Sequence, residues 1–283
     1  MEGAYKPGTL REAVRIIGST GAVPLAGGTD LMVQHRRWGG LKPLFDRPVL
    51  LIGHLDELSK VQYDSNCIRI GPCCTYSSLL SDERVPAVLR ECIRNIASPA
   101  IRNRGTVGGN ICNASPAGDT LPVLYALGSS VVLSSSSGRR TAAIENFISG
   151  PGKTARGDNE LLTEIIVPHN RFAVSFYRKV GTRSYNSLSK ISFVGLARIE
   201  GEKVTNIRAA FGSVAPTVVR SQVLEAEMEG RSIHEMRSLI PSICKRYADL
   251  LAPIDDQRST MRYREAVAIK LLRFFLEQYI SQS

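Results

Sequence analysis

Leu25-Ala26-Gly27-Gly28-Thr29-Asp30-Leu31-Met32 and, further along, Arg104-Gly105-Thr106-Val107-Gly108-Gly109-Asn110-Ile111-Cys112-Asn113-Ala114-Ser115-Pro116-Ala117-Gly118-Asp119 are the two stretches that decide the fold. Each carries paired glycines. Without Cβ atoms, backbone N–H groups approach a phosphate closely and form an anion-binding concavity. A short strand, Val23-Pro24-Leu25, runs into the first pair, and side-chain donors surround the second. Taken singly, Gly-Gly after a strand is also an ordinary turn. Neither stretch fits G-x-G-x-x-G or G-x-x-x-x-G-K-[ST], so neither a Rossmann site nor a P-loop is supported. Two separate phosphate-type loops point to one extended dinucleotide held at two places.

Outward from the loops, Leu10, Ala13, Val14 and Ile17 recur at helical spacing and predict a helix over 8–20, stopped by Gly18 and Gly21. Residues 49–52 and 68–70 read as buried strands and 85–97 as a helix. The Gly-, Asn- and Pro-rich stretch 102–119 has little periodic signal. A short helix is expected over 122–127 and a strand over 131–133. Residues 134–160 read as loop-rich, with a serine run at 134–137. Leu161 to Val167 reads as a strand closed by Pro168. A domain boundary is expected near 170, dividing 1–170 from 171–283. Beyond it come strands over 174–180, 191–199 and 204–212, the last two forming a hairpin around Glu200-Gly201-Glu202, and then helices.

The 283 residues suffice for two domains, with 43% hydrophobic and 22% charged residues, an ordinary globular balance. No apolar run approaches the ~20 residues of a membrane span. The N-terminal Met1-Glu2-Gly3-Ala4-Tyr5 has no signal-peptide pattern, so a cytoplasmic location is expected. The six cysteines show no C-x-x-C spacing and read as reduced thiols, so no iron–sulfur cluster is expected on this chain. His35, His54, His169 and His234 form no metal-like i, i+4 pair and read as surface or structural residues. No metal site is expected. The net charge is +10, and the excess is concentrated after residue 170, where 18 basic residues face 11 acidic ones. A basic surface suits nucleic acid, an acidic partner or an anionic nucleotide. No Lys/Arg run interleaved with aromatics singles out nucleic acid.

The loops together resemble those of a known family. Leu-Ala-Gly-Gly-Thr-Asp-Leu at 25–31 is similar to the first FAD loop of the flavin subunits of molybdenum hydroxylases, such as bacterial xanthine and carbon monoxide dehydrogenases. Thr-Val-Gly-Gly-Asn at 106–110, followed by Asn-Ala-Ser-Pro-Ala-Gly-Asp at 113–119, resembles their second. Ile101-Arg102-Asn103, Gly150-Pro151-Gly152-Lys153, Leu161 to Ile165, Lys179 and Ala210 to Pro216 continue the match over nearly the whole chain. The resemblance implies an α+β fold. A two-subdomain FAD-binding domain of the vanillyl-alcohol-oxidase type would be followed by a smaller α+β C-terminal domain.

It also implies roles. Leu25, Ala26, Gly27, Gly28, Thr29, Asp30, Leu31 and Met32 would wrap the FAD pyrophosphate. Thr106, Gly108 and Gly109 would approach from the other side, and Asn110 would donate to a flavin or phosphate oxygen. Asp119 would accept from a ribose or ribityl hydroxyl; read from the residues alone, it is equally an N-cap of the helix over 122–127. Ile96 and Leu162 match apolar contacts, which are also plain core positions. Lys179 matches a lysine near the flavin, where a cation stabilises charge on the reduced ring; a solvated lysine on a strand is the alternative. Cys112 reads as packing. No residue is assigned a catalytic role.

The resemblance implies non-covalent FAD and NAD or another molecule as electron acceptor, with molybdopterin and [2Fe–2S] clusters held only by partner subunits, a large and a small one, in a hetero-oligomer. Xanthine or a related N-heterocycle is the expected substrate of the complex. No nucleic acid and no membrane are expected as partners. Two alternatives are a free-standing FAD-dependent oxidoreductase and a basic nucleic-acid-binding module.

Overall fold

The apolar spacing at Leu10, Ala13, Val14 and Ile17 builds a helix in the computed structural model, which describes residues 3–170, 172–183 and 186–281. The helix follows β1 (Ala4–Tyr5) and runs as α1 (Leu10–Thr20). The Thr9 hydroxyl accepts from the Glu12 N–H at its start, and Gly21 closes it in the left-handed region. Ala13 and Ile17 are buried with Leu50, Leu55 and Leu58. β2 (Val23–Leu25) and β3 (Val49–Leu51) pair in parallel, and β1 flanks β3 on the other side. Between β2 and β3 comes the short α2 (Leu31–Gln34). The first glycine loop is thus the turn from the C-terminal end of β2 into α2, the end at which open α/β sheets place ligands.

A second sheet, antiparallel throughout, is built from β4 (Val61–Tyr63), β5 (Cys67–Ile70), β6 (Ser130–Ser135), β7 (Gly138–Ala143) and β8 (Leu161–Pro168), in the order β4-β5-β8-β6-β7. Part of the stretch that reads as loop is here a hairpin. The serine run forms its turn, with Ser135 paired to Gly138, and the exposed edge strand β7 follows. β7 carries Arg139 and Arg140 and no apolar alternation, which hides an edge strand from a hydrophobicity pattern.

Three of the helices between β5 and β6 position the site: α3 (Ala87–Arg94), α4 (Val107–Asn113) and α5 (Thr120–Ala126). Packing divides the chain into two units. One comprises Met1–Val85, Ser98–Ala114 and Gly128–His169; the other Pro86–Ala97, Ser115–Leu127 and Asn170–Ser283. α4 belongs to the first unit, and α3 and α5 to the second. At two of the crossings, Ala97 (φ 41°) and Ala114 (φ 46°) hold a left-handed backbone, which costs an L-residue with a Cβ roughly 1–2 kcal/mol.

The second unit is built on an antiparallel sheet of β9 (Val174–Val180), β10 (Ile191–Glu200), β11 (Lys203–Gly212) and β12 (Val219–Arg220), in that order. The expected hairpin at 200–202 is present, with Gly201 in the left-handed region. β10 is buried continuously from Ile191 to Ala197, so it is covered on both faces. The helices that follow include α6 (Ile233–Ala248) and α7 (Met261–Phe275), after a shorter one over Gln222–Met228. Phe275 of α7 lies against Gly195, and Pro122 of α5 lies against Gly212. Gly212 pairs with Ser192, three residues from Gly195, so the two glycines face opposite sides. A helix encoded before residue 170 therefore closes one face of the C-terminal sheet.

Arg264 of α7 ties this unit together. Its guanidinium is buried and donates to the Lys190 carbonyl (2.8 Å), the Ser213 carbonyl (3.0 Å) and Asp256 Oδ1 (2.8 Å). Ser213 has a positive φ of 65°, so one contact also holds a strained turn. Arg264→Met takes the guanidinium donor from the Lys190 and Ser213 carbonyls and one partner from Asp256, which keeps Arg258 and the Ser259 N–H. A loss of about 3–5 kcal/mol in stability is expected, read as a lowered urea midpoint with an unchanged slope.

Candidate functional site

In the first unit the two glycine loops meet backbone to backbone. A Cβ on Gly27 would stand 1.9 Å from the Arg104 carbonyl oxygen and 3.3 Å from the Gly105 Cα. Side chains fasten the same contact. Asn113, at the end of α4, donates to Asp30 Oδ2 (3.2 Å), and Gln34 of α2 donates to Asn113 Oδ1 (3.0 Å). Gly28 holds φ at 73°. Among the described residues, the N–H groups of Gly27, Gly28, Thr29, Asp30 and Leu31 have no hydrogen-bond partner, and the first donor used after them is Met32 N–H, to the Gly28 carbonyl (3.1 Å). Asp30 precedes α2 but its side chain makes no cap. Five consecutive free donors on a glycine-rich turn form a nest for an anion.

The second loop is built differently. Thr106 is the N-cap of α4, its Oγ1 accepting from the Gly109 N–H (3.2 Å). The Gly108 N–H donates to the Pro72 carbonyl (2.9 Å), and a Cβ on Gly108 would lie 2.3 Å from Pro72 Cβ. Gly108 is therefore a packing requirement. Gly109 is exposed and Asn110 half-buried. The stretch with little periodic signal thus contains a capped helix; its glycines masked the helix from any propensity argument. Leu162 of β8 is buried in this unit, while Met32 is exposed.

In the second unit Asp119 and Lys179 are bonded to each other. Lys179 Nζ, on β9, donates to Asp119 Oδ2 (2.7 Å) and to the Asn95 carbonyl (3.0 Å), and the Ser189 hydroxyl donates to Asp119 Oδ1. Both charged side chains are buried. Burial pushes the Asp119 carboxyl above the usual carboxylate range, and the Lys179 ammonium and Ser189 hydroxyl pull against it. Asp119 stands at the N-cap position of α5 but makes no cap hydrogen bond and has helical φ and ψ. The capping alternative fails because the carboxylate is turned to Lys179, and the solvated-strand alternative for Lys179 fails with it. The Cys92 thiol donates to the Asp119 carbonyl (3.2 Å), and burial raises that thiol well above its ordinary value. Ile96, in the same unit, is half-buried. Ser189 and Asn95 are the participants the sequence did not single out. A serine and a main-chain carbonyl far apart in sequence carry no pattern that would find them.

Two negative observations hold among the described residues. No group of His, Cys, Asp and Glu could hold a metal ion, and no helix is long and apolar enough to cross a membrane.

Comparison with known proteins assigns this mixed α+β chain to a class of flavoprotein subunits. Residues 1–170 match the FAD binding domain in molybdopterin dehydrogenase, and 176–279 match the CO dehydrogenase flavoprotein C-terminal domain. The chain belongs to this family of FAD-binding oxidoreductase subunits of molybdenum hydroxylases. It is 31% identical to the glyceraldehyde dehydrogenase medium chain of Sulfolobus acidocaldarius, over 95% of each chain. It is 26% identical to the xanthine dehydrogenase FAD-binding subunit of Escherichia coli O157:H7, over 99% of this chain and 94% of that one. A carbon monoxide dehydrogenase structure from Hydrogenophaga pseudoflava superimposes with a TM-score of 0.86 at 27% identity, covering 96% of this chain and 94% of that one.

The buried pair makes a testable demand. Asp119→Asn or Lys179→Met alone leaves a buried charge without its partner, and each is expected to cost about 3–5 kcal/mol. The double variant is expected to recover most of that loss, as measured by a double-mutant cycle on urea unfolding. Additive losses would mean that the two charges do not stabilise each other.

Proposed function

We propose that Leu25 to Met32 hold the pyrophosphate of FAD. The observation that carries this reading is the run of free N–H groups from Gly27 to Leu31. The nest fits a dianion, which needs several converging donors and would gain charge-assisted hydrogen bonds from them. Thr106 and Gly108 hold the second loop rigid through the Gly109 N–H and Pro72, and in this reading Gly109 and Asn110 are the members of that loop that meet the cofactor. Leu162 and Ile96 supply apolar contacts.

Asp119 and Lys179 act as a pair in this reading. An ammonium has three donors, and two on Lys179 are used by Asp119 and Asn95. The third N–H is the one directed to the flavin, and Asp119 with Ser189 fixes the side chain that carries it. Asp119 thus positions Lys179 in this reading, and its remaining lone pairs stay available to the ribose or ribityl hydroxyl expected from sequence.

Bound FAD supplies the relay between a one-electron donor, the [2Fe–2S] centres of a small partner subunit, and a two-electron acceptor, NAD⁺. Hydroxylation belongs to a large molybdopterin subunit, and the assembly is a cytoplasmic hetero-oligomer. An N-heterocycle such as xanthine is the substrate class this reading favours. Similar chains include the caffeine dehydrogenase subunit beta of a Pseudomonas and the nicotinate dehydrogenase FAD-subunit of Eubacterium barkeri.

The purified chain is expected to be yellow or to bind added FAD, and to release the flavin into the supernatant on acid precipitation. Gly28→Val places a branched Cβ at φ 73° and 3.1 Å from Met32 Cγ, which deforms the nest. FAD affinity should fall at least tenfold while the urea midpoint drops by only about 1–2 kcal/mol equivalent. Retained affinity would remove the nest from the site. The isolated chain should oxidise no purine with or without NAD⁺, and should support substrate-dependent NAD⁺ reduction once its two partner subunits are added.

A further inference from the structure

Beyond α2 the chain makes an excursion that no part of the flavin reading uses. His35 and Leu44 close its ends. His35 Nδ1 lies 2.7 Å from the Leu44 carbonyl, the Leu44 N–H donates to the His35 carbonyl (3.2 Å), and the imidazole stacks on Phe45 with ring centroids 4.2 Å apart. A surface loop whose ends are clasped in this way has the form of an Ω-loop, a class often functional. At its tip stands Trp38, the only tryptophan of the chain, 95% exposed. Leu41 and Leu44 are also exposed in the loop, and Val33 is exposed just before it. Arg36, Arg37 and Lys42 lie among them, exposed, and their side chains make no ion pair or hydrogen bond among the described residues.

We infer that this loop is a docking element for an acidic protein surface with an apolar recess for the indole. Resting on the functional reading above, that surface belongs to the cluster-bearing subunit that delivers electrons. Two features favour a protein. Trp and Arg are residues in which interface hot spots are enriched. Three unpaired cations also call for a complementary acidic patch, which speeds and orients encounter. A membrane is the poorer occupant. Three cations near an anionic leaflet give only about 3 kcal/mol, and stable attachment needs an amphipathic helix, whereas the tip here is the three-residue turn Trp38–Gly40. Position adds a reason. α2 and the next four residues span at most about 20 Å, so Trp38 is tethered within that distance of the anion nest.

The test uses the full chain grown with 5-fluorotryptophan, whose single ¹⁹F resonance is Trp38. FAD content is measured first; a wild-type chain that takes up no FAD counts against the functional reading before any partner is added. The FAD-loaded chain is then mixed in parallel with its purified [2Fe–2S] subunit and with phosphatidylcholine–phosphatidylserine vesicles. The resonance is expected to shift and lose its H₂O/D₂O sensitivity with the subunit and to stay unchanged with vesicles. Trp38→Ala should weaken association about 30-fold with FAD content and urea midpoint at wild-type values. Arg36→Glu with Arg37→Glu should slow association and flatten its salt dependence. A subunit that binds the FAD-loaded chain without moving the signal, or a signal moved by vesicles alone, overturns the docking assignment and leaves the flavin reading standing.

Discussion

Backbone touches backbone at Gly27, and the first unit's site is built around that contact. The Arg104 carbonyl occupies the space where any other residue would carry its Cβ, so the two loops can close on each other only with glycine there. Once they are closed, Asn113 and Gln34 lock them from the side. The donors from Gly27 to Leu31 are then held in place without internal partners. Such a turn is expensive for the protein alone, because N–H groups without partners gain nothing from folding. An anion held in the nest, as proposed for FAD, would recover that deficit. The same contact explains why the two loops differ. One presents its N–H groups outward, while the other uses the N–H groups of Gly108 and Gly109 on Pro72 and Thr106 to stay rigid.

The second unit solves a different problem. Its sheet must be buried on both faces, and its own C-terminal helices cover only one. α5 supplies the second cover and brings Asp119 with it, so the fold delivers the carboxylate to Lys179 on the neighbouring strand. Packing and site are thus one arrangement. A buried ion pair adds little net stability and a large cost when broken, which suits a residue whose position matters more than its contribution to folding.

Much of this was legible in the chain. Helical spacing located α1, the strand patterns located β8 to β11, and the glycine pairs marked both loops. The recognisable wording of those loops, more than any periodicity, led to the flavin. Other parts were hidden for physical reasons. β7 is an exposed edge with no apolar face to alternate. α4 contains two glycines and is held by a cap and by Pro72, so propensity argued against it. The link between Asp119, Lys179 and Ser189 joins residues brought together only by the sheet. Asp119 in particular reads as a helix cap, because its position along the chain is a cap position and only its helical backbone and its side-chain direction say otherwise.

The passage of α3 and α5 into the second unit bears on how such a protein can be inherited. The family signatures part between residues 170 and 176, as though two genes had been joined there. The packing does not part at that point, since segments 86–97 and 115–127 belong with the residues after 170. A recombination event at 170 would separate a sheet from its own covering helix and expose apolar surface on both products. The residues before and after 170 are therefore parts of one folding problem, because the sheet beyond 170 draws a covering helix from the sequence before it.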